Sequence, residues 1–170
     1  VLELGCGGGG LSTLLGCCGV HGYLGIDANP IAFCYSPFIT EAPEHYRLLN
    51  LQESIDFGFR FDLVCSFEVL EHIREDALDA FLSTIASHMD STSLFVGTAS
   101  LIDSYDVHVT VHERDWWLSR FERFGLTPVM EPDHDRWTSK LMRSHPFNWN
   151  ERNSNLFVLG KGASHASPAA

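Results

Sequence analysis

The sequence predicts an α/β fold, a three-layer sandwich in which helices cover both faces of a central sheet. Three observations carry that prediction. A glycine-rich turn joins an apolar strand to a helix at the start of the chain, between Val1 and Leu15. Strand-like and helix-like segments then alternate along the chain, the pattern of a largely parallel sheet. With 170 residues, 45% of them hydrophobic, the chain can bury one domain-sized core.

The elements follow in order. Val1–Leu4 reads as the first strand, Gly5–Gly10 as the turn, and Leu11–Leu15 as the opening of a helix. Such a turn brings a ligand close to bare backbone and to helix-terminal N–H groups. Tyr23–Asp27 is the second strand and ends in an acid. Pro30 sits in the first turn of a helix expected to reach about Phe38, since proline is at home where no N–H is needed. Arg47–Leu51 is the third strand, and residues 75–89 place Leu78, Phe81, Leu82, Ile85 and Met89 at helical spacing. Leu94–Thr98 is the fifth strand. A helix over 113–124 carries Trp117, Phe121 and Phe124 on one side and is capped by Gly125, before a sixth strand at Leu126–Met130 and a seventh at Leu156–Gly160. One domain over 1–161 is expected. The tail 162–170, rich in Ser, Pro and Ala, lacks a core-forming pattern and is expected to be disordered.

The glycine spacing has two readings. Gly5, Gly7 and Gly10 fit G-x-G-x-x-G, with Asp27 at about the twenty-residue distance of a ribose-binding acid in dinucleotide sites. Gly5, Gly7 and Gly9 equally fit acidic-x-G-x-G-x-G, with Glu3 as the acid. A carboxylate beside the turn repels a pyrophosphate seated on a helix N-terminus. It suits a cofactor with no phosphate and a positive charge.

In this second pattern the sequence resembles the class I S-adenosylmethionine-dependent methyltransferases, whose first motif reads Glu/Asp-x-Gly-x-Gly-x-Gly. Three further segments match in order: Tyr23–Asp27, Arg47–Leu51 with Gln52, and Phe61-Asp-Leu-Val-Cys-Ser-Phe-Glu-Val-Leu-Glu-His-Ile73, which resembles the fourth strand and its following loop. The resemblance covers about residues 1–130. It implies a Rossmann-like, seven-stranded mixed sheet whose last strand runs antiparallel between the fifth and sixth. It implies S-adenosyl-L-methionine as cofactor, with Glu3, Gly5, Cys6, Gly7, Gly9, Asp27, Ala28, Asn50, Leu51, Ser66, Phe67 and Glu68 as its binding residues. Asp27 would hold the ribose hydroxyls, Asn50 (often Asp in the family) and Leu51 would flank adenine, and Ser66 to Glu68 would lie near the methionine moiety. Family members usually carry a helix before the first strand, so an N-terminally truncated domain is expected.

Methyl transfer asks for positioning, exclusion of water and, for an oxygen acceptor, a base. His108, with Asp106 near it in the loop after strand five, and then His72, in the loop after strand four, are the catalytic candidates. The segment Glu68-Val-Leu-Glu71-His72, an E-x-x-E-H pattern, also resembles the metal-binding segment of small-RNA 2′-O-methyltransferases and the matching segment of ubiquinone-biosynthesis O-methyltransferases. The same five letters occur in many family members not known to need a metal, in which its start lines the cofactor pocket while Glu71 and His72 begin a helix. The second reading is adopted, and no metal is expected. Residues 132–154, with Trp137, His145, Pro146, Phe147 and Trp149, either cover the sheet edge or wall the acceptor pocket.

A formal net charge of −11 argues against broad nucleic-acid binding. No apolar run is long enough to cross a membrane, and no signal peptide is visible. The cysteines Cys6, Cys17, Cys18, Cys34 and Cys65 lack C-x-x-C spacing, which suits reduced thiols in the cytoplasm, with Cys17 and Cys18 as buried small hydrophobes. The expected activity is methylation of a small hydroxylated or amino-bearing molecule. A non-catalytic methyltransferase-like module, possible as a subunit of a larger enzyme, is the alternative. A nicotinamide-dependent oxidoreductase is third, and a parallel seventh strand would favour it.

Overall fold

The computed structural model describes residues 1–101, 107–129 and 156–162. Its elements are β1 (Leu2–Leu4), α1 (Gly10–Cys17), β2 (Leu24–Asp27), α2 (Pro30–Tyr35), α3 (Pro37–Glu41), β3 (Tyr46–Leu48), β4 (Leu63–Ser66), α4 (Leu78–Ser87), β5 (Leu94–Thr98), α5 (Arg114–Glu122), β6 (Leu126–Pro128) and β7 (Leu156–Lys161). Single turns of 3-10 helix stand at Pro43–His45, Leu70–His72 and Glu75–Ala77. The seven strands form one sheet in the order β3-β2-β1-β4-β5-β7-β6. Parallel pairing joins β1 to β2 and β4, β2 to β3, and β4 to β5. The seventh strand lies antiparallel to both β5 and β6. The mixed sheet with an inserted antiparallel last strand is therefore the one expected.

The alternation of strand side chains builds the core. Leu2 and Leu4 of β1 are fully buried and join Ile26, Val64, Phe95 and Phe157 from neighbouring strands. α4 presents Leu78, Phe81, Leu82 and Ile85 to this cluster, and α5 presents Trp117 and Phe121. That spacing keeps one helical face on the sheet. β7 is tied to the end of α4 by the Lys161 ammonium, which donates to the Ala86 and Met89 carbonyls at 2.6 and 3.0 Å. A cation at a helix C-terminus satisfies carbonyls that the helix leaves without partners.

The structure differs from the sequence reading at several points. The helix expected from Pro30 to Phe38 is broken at Ser36, whose backbone is extended (φ −83, ψ 121) and whose hydroxyl caps α3 at Ile39 N. Pro37 explains the break, because proline disfavours helical backbone in the residue before it. β3 spans Tyr46–Leu48 and not 47–51, because Asn50 closes a side-chain turn onto Gln52 N at 3.1 Å. Glu71 and His72 lie in a 3-10 turn and do not begin an α-helix. Cys17 and Cys18 are exposed, on a helix that buries none of its residues. Met130, the loop 132–154 and the tail from residue 163 lie outside the described residues. Among the described residues no helix is long and apolar enough to cross a membrane.

Candidate functional site

The carboxyl ends of β1, β2 and β4 open onto a cavity of about 560 Å³. Sheets of this kind leave a crevice there, where the loops turn away from each other. The glycine turn forms one wall. Gly5 N and Cys6 N both donate to Ile26 O, at 2.7 and 3.0 Å, which ties the turn to β2. Gly5, Gly7 and Gly9 all have left-handed backbone, with φ of 86, 49 and 77. Their surroundings differ. A Cβ on Gly5 would lie 2.1 Å from Val69 Cγ2, and one on Gly9 would lie 2.6 Å from the Tyr46 hydroxyl. A Cβ on Gly7 would meet nothing within 4 Å, since Gly7 faces the cavity.

Asp27 stands at the end of β2 and orders two loops at once. Its Oδ2 accepts from Gly7 N and its Oδ1 from Asn29 N, each at 2.7 Å. A carboxylate offers about four lone-pair sites, so each oxygen keeps capacity for a ligand hydroxyl. Asn50, Leu51 and Gln52 form the opposite wall. The Asn50 amide is committed to its own turn, accepting from Gln52 N and donating to Glu53 Oε1 at 2.8 Å.

Phe67, Glu68 and Val69 make a shelf after β4, and His72 and Ile73 close the far end. His72 Nδ1 lies 3.0 Å from Val107 O. A carbonyl only accepts, so Nδ1 carries the hydrogen, and in the neutral ring the lone pair is on Nε2. The rings of His72 and His108 sit edge to face at 5.1 Å. Val109 N and Thr110 N donate to Glu71 O, and the Thr110 hydroxyl donates to Ile73 O, which pins the segment carrying His108 to this turn.

Glu71 is fully buried, and its carboxylate has no side-chain hydrogen-bond partner, only the backbone of Glu71 itself and of Ser100 nearby. Burial pushes its pKa above the usual carboxylate range and Glu68 adds to the shift, while its own backbone, the Ser100 backbone and His72 oppose it. One ligand atom each from Glu71, His72 and His108 falls within 4.8 Å of the others.

Of the residues expected at the site, Gly5, Gly7, Asp27, Ala28, Asn50, Leu51, Phe67, Glu68 and His72 line the cavity. Glu3, Cys6, Gly9 and Ser66 are not among its lining residues. Glu3 is buried and accepts from the Tyr23 hydroxyl; burial raises its pKa, and that hydrogen bond opposes the shift. Cys6 packs with Ile39 and Tyr46, and burial pushes its thiol up to about 12. Ser66 is fully buried and donates to Leu4 O at 2.9 Å, bracing β4 on β1. Asp106 lies outside the described residues. The cavity also takes in Asn29, and Gln52, Val69 and Ile73 from the matched segments, none of which was assigned a binding role. Each is a sequence neighbour of a residue expected at the site.

A family model described as a methyltransferase domain matches residues 1–137. Among solved structures, a TehB-like S-adenosylmethionine-dependent methyltransferase from Corynebacterium glutamicum is 23% identical, with a TM-score of 0.65 over 95% of this chain and 79% of that one. The O-methyltransferase from a trans-AT PKS multienzyme of Brevibacillus brevis, solved with S-adenosyl-L-homocysteine, is 15% identical, with a TM-score of 0.65 over 94% of this chain and 65% of that one. The CurJ carbon methyltransferase is 16% identical, with a TM-score of 0.63, and this chain spans 48% of its length. These likenesses show a shared fold. No curated protein matches by sequence. The match across residues 1–137, on a sheet whose β7 runs antiparallel between β5 and β6, shows that this chain belongs to the methyltransferase-domain family, the class I S-adenosylmethionine-dependent methyltransferases.

Proposed function

We propose that the chain methylates a hydroxyl or amino group of a small molecule, with the cofactor in the cavity and the acceptor at its His72 end. The observation that carries this reading is the charge of the lining. Asp27 and Glu68 are there, and among the described residues no Lys or Arg lines it. Such walls repel a pyrophosphate and favour a ligand that carries a sulfonium and an ammonium and lacks phosphate. The open face of Gly7 leaves room for that ligand against the backbone.

Asp27 holds the ribose hydroxyls with its remaining lone pairs, Leu51 and the Asn50 turn bound the adenine, and Phe67 and Glu68 flank the methionine portion. S-adenosylmethionine supplies a methyl carbon on sulfonium sulfur. Bound there, it would give that methyl to the acceptor's lone pair and leave as S-adenosylhomocysteine. His72 Nε2 takes the acceptor's proton, and His108, whose ring lies 5.1 Å away, is the second candidate base. His72 precedes His108 in this assignment because His72 lines the cavity. Asp106 stays a candidate for the same role. The free state of all five cysteines supports a cytoplasmic location.

Transfer of labelled methyl from S-adenosylmethionine to a panel of hydroxylated and amino-bearing small molecules tests this. His72→Asn is expected to lower kcat on an oxygen acceptor by about 100-fold with cofactor affinity unchanged. A chain that binds S-adenosylhomocysteine and methylates nothing favours the non-catalytic module.

One observation favours a second reading of the His72 end. A buried carboxylate without a side-chain partner is costly, and a divalent cation between Glu71, His72 and His108 would balance it. Carboxylate and imidazole ligands suit several such ions, and a bound cation would acidify an acceptor hydroxyl. Elemental analysis of the purified chain and of Glu71→Gln distinguishes the readings. Stoichiometric metal in the first and none in the second supports the ion. Equal, trace amounts in both leave His72 as the base.

A further inference from the structure

Glycines aside, Glu68 is the one residue with left-handed backbone among those described, at φ 55. A side chain in that region is strained, and it persists only where its surroundings hold it. Glu68 is also the middle of the shelf Phe67–Val69, all of which lines the cavity. The holder is Thr98, the last residue of β5. Its hydroxyl oxygen accepts from Glu68 N at 2.9 Å and its hydrogen is donated to Glu68 Oε1 at 2.7 Å. One side chain thereby fixes both the backbone and the carboxylate of Glu68.

Thr98 is suited to the task. It is buried, 8% exposed, and it is paired with Leu156 in the sheet, so its hydroxyl cannot follow a moving loop. It does not line the cavity. The consequences of release reach further than Glu68. If that residue relaxed to negative φ, the peptide planes on either side would turn and carry Phe67 and Val69 with them. Val69 is wedged against the glycine turn so closely that Gly5 has no room for a Cβ. The shelf and the turn therefore move together.

We propose that Thr98 is a positioning residue for cofactor binding: its hydroxyl holds Glu68 left-handed, so that the 67–69 shelf is formed before the ligand arrives. Preforming a site raises affinity by removing an ordering cost from the binding step. The proposal rests on the cavity being the cofactor site. Nothing in a sequence motif signals it, because Thr98 and Glu68 lie thirty positions apart and meet only through the pairing of β4 with β5.

The test is a double-mutant cycle read by calorimetry with S-adenosylhomocysteine. Glycine takes left-handed backbone without help, so Glu68→Gly removes the need for a clamp. Thr98→Val, which keeps shape and loses the hydroxyl, is expected to raise Kd about tenfold in the wild-type background and less than about twofold in the Glu68→Gly background. Thr98→Ser is expected to restore the wild-type value within about twofold. Hydrogen exchange adds a readout independent of the ligand: the Glu68 amide is protected in the wild type and exchanges faster in Thr98→Val. Unchanged affinity in Thr98→Val, or an equal loss in both backgrounds, overturns the proposal. A wild-type chain that binds no S-adenosylhomocysteine, with the Glu68 amide still deprotected by Thr98→Val, overturns the cofactor reading instead and leaves the clamp.

Discussion

At the scale of single residues, the site depends on carboxylates in contrasting environments. Asp27 is half-buried and accepts from backbone N–H groups at both oxygens, whereas Glu71 is fully buried with no side-chain partner for its carboxylate. Burial raises the Glu71 pKa, and the sign of its effect on stability follows. Between the ordinary carboxylate pKa of about 4.3 and the raised native value, the folded chain holds a proton that the unfolded chain has lost. Stability from this group therefore falls as pH rises through that window. Glu71→Gln is expected to raise the Tm of metal-stripped protein at neutral pH and to flatten its decline as pH rises above the ordinary carboxylate range; a lower Tm with an unchanged pH dependence contradicts this. The sequence made Asp27 legible through its distance from the glycines. It could not show the sealing of Glu71, which depends on a return of the chain at 107–110. Glu3 and Ser66 match motif positions, yet their side chains brace the sheet, because motif letters do not record which way a strand residue points.

At the scale of elements, the glycine turn separates folding from binding. Gly7 and Gly9 share left-handed backbone, so alanine at either costs about 1 kcal/mol or more in strain. Only at Gly9 would the new methyl also strike a ring, that of Tyr46. Gly9→Ala is expected to lower thermal stability the more, by about 2–3 kcal/mol. Gly7→Ala is expected to keep most of its stability and lose S-adenosylhomocysteine binding, since its methyl would project toward the cavity. Melting curves with and without ligand check both; equal behaviour of the two variants would contradict the assignment of faces. The strand-turn-helix was legible from composition and order. Element ends were less so: Pro37 carried the signal for the broken helix, and Asn50 the signal for the early end of β3.

Across the whole molecule, the topology decides between cofactors that glycine spacing leaves open. Gly5, Gly7 and Gly10 satisfy a dinucleotide pattern, but the antiparallel β7 belongs to the methyltransferase sheet, and among the described residues the cavity walls carry Asp27 and Glu68 and no Lys or Arg. The strands were readable in chain order, most of them as short apolar runs bounded by turn residues and the fourth through family resemblance. The direction of β7 came from family resemblance, since a single strand's residues do not encode it. The measurement that reaches furthest is calorimetric titration of the purified chain with S-adenosylhomocysteine, with NADH as the control ligand. One site of micromolar affinity for S-adenosylhomocysteine and none for NADH is the predicted result. Binding of NADH, or of neither by a chain that melts cooperatively, would contradict the account.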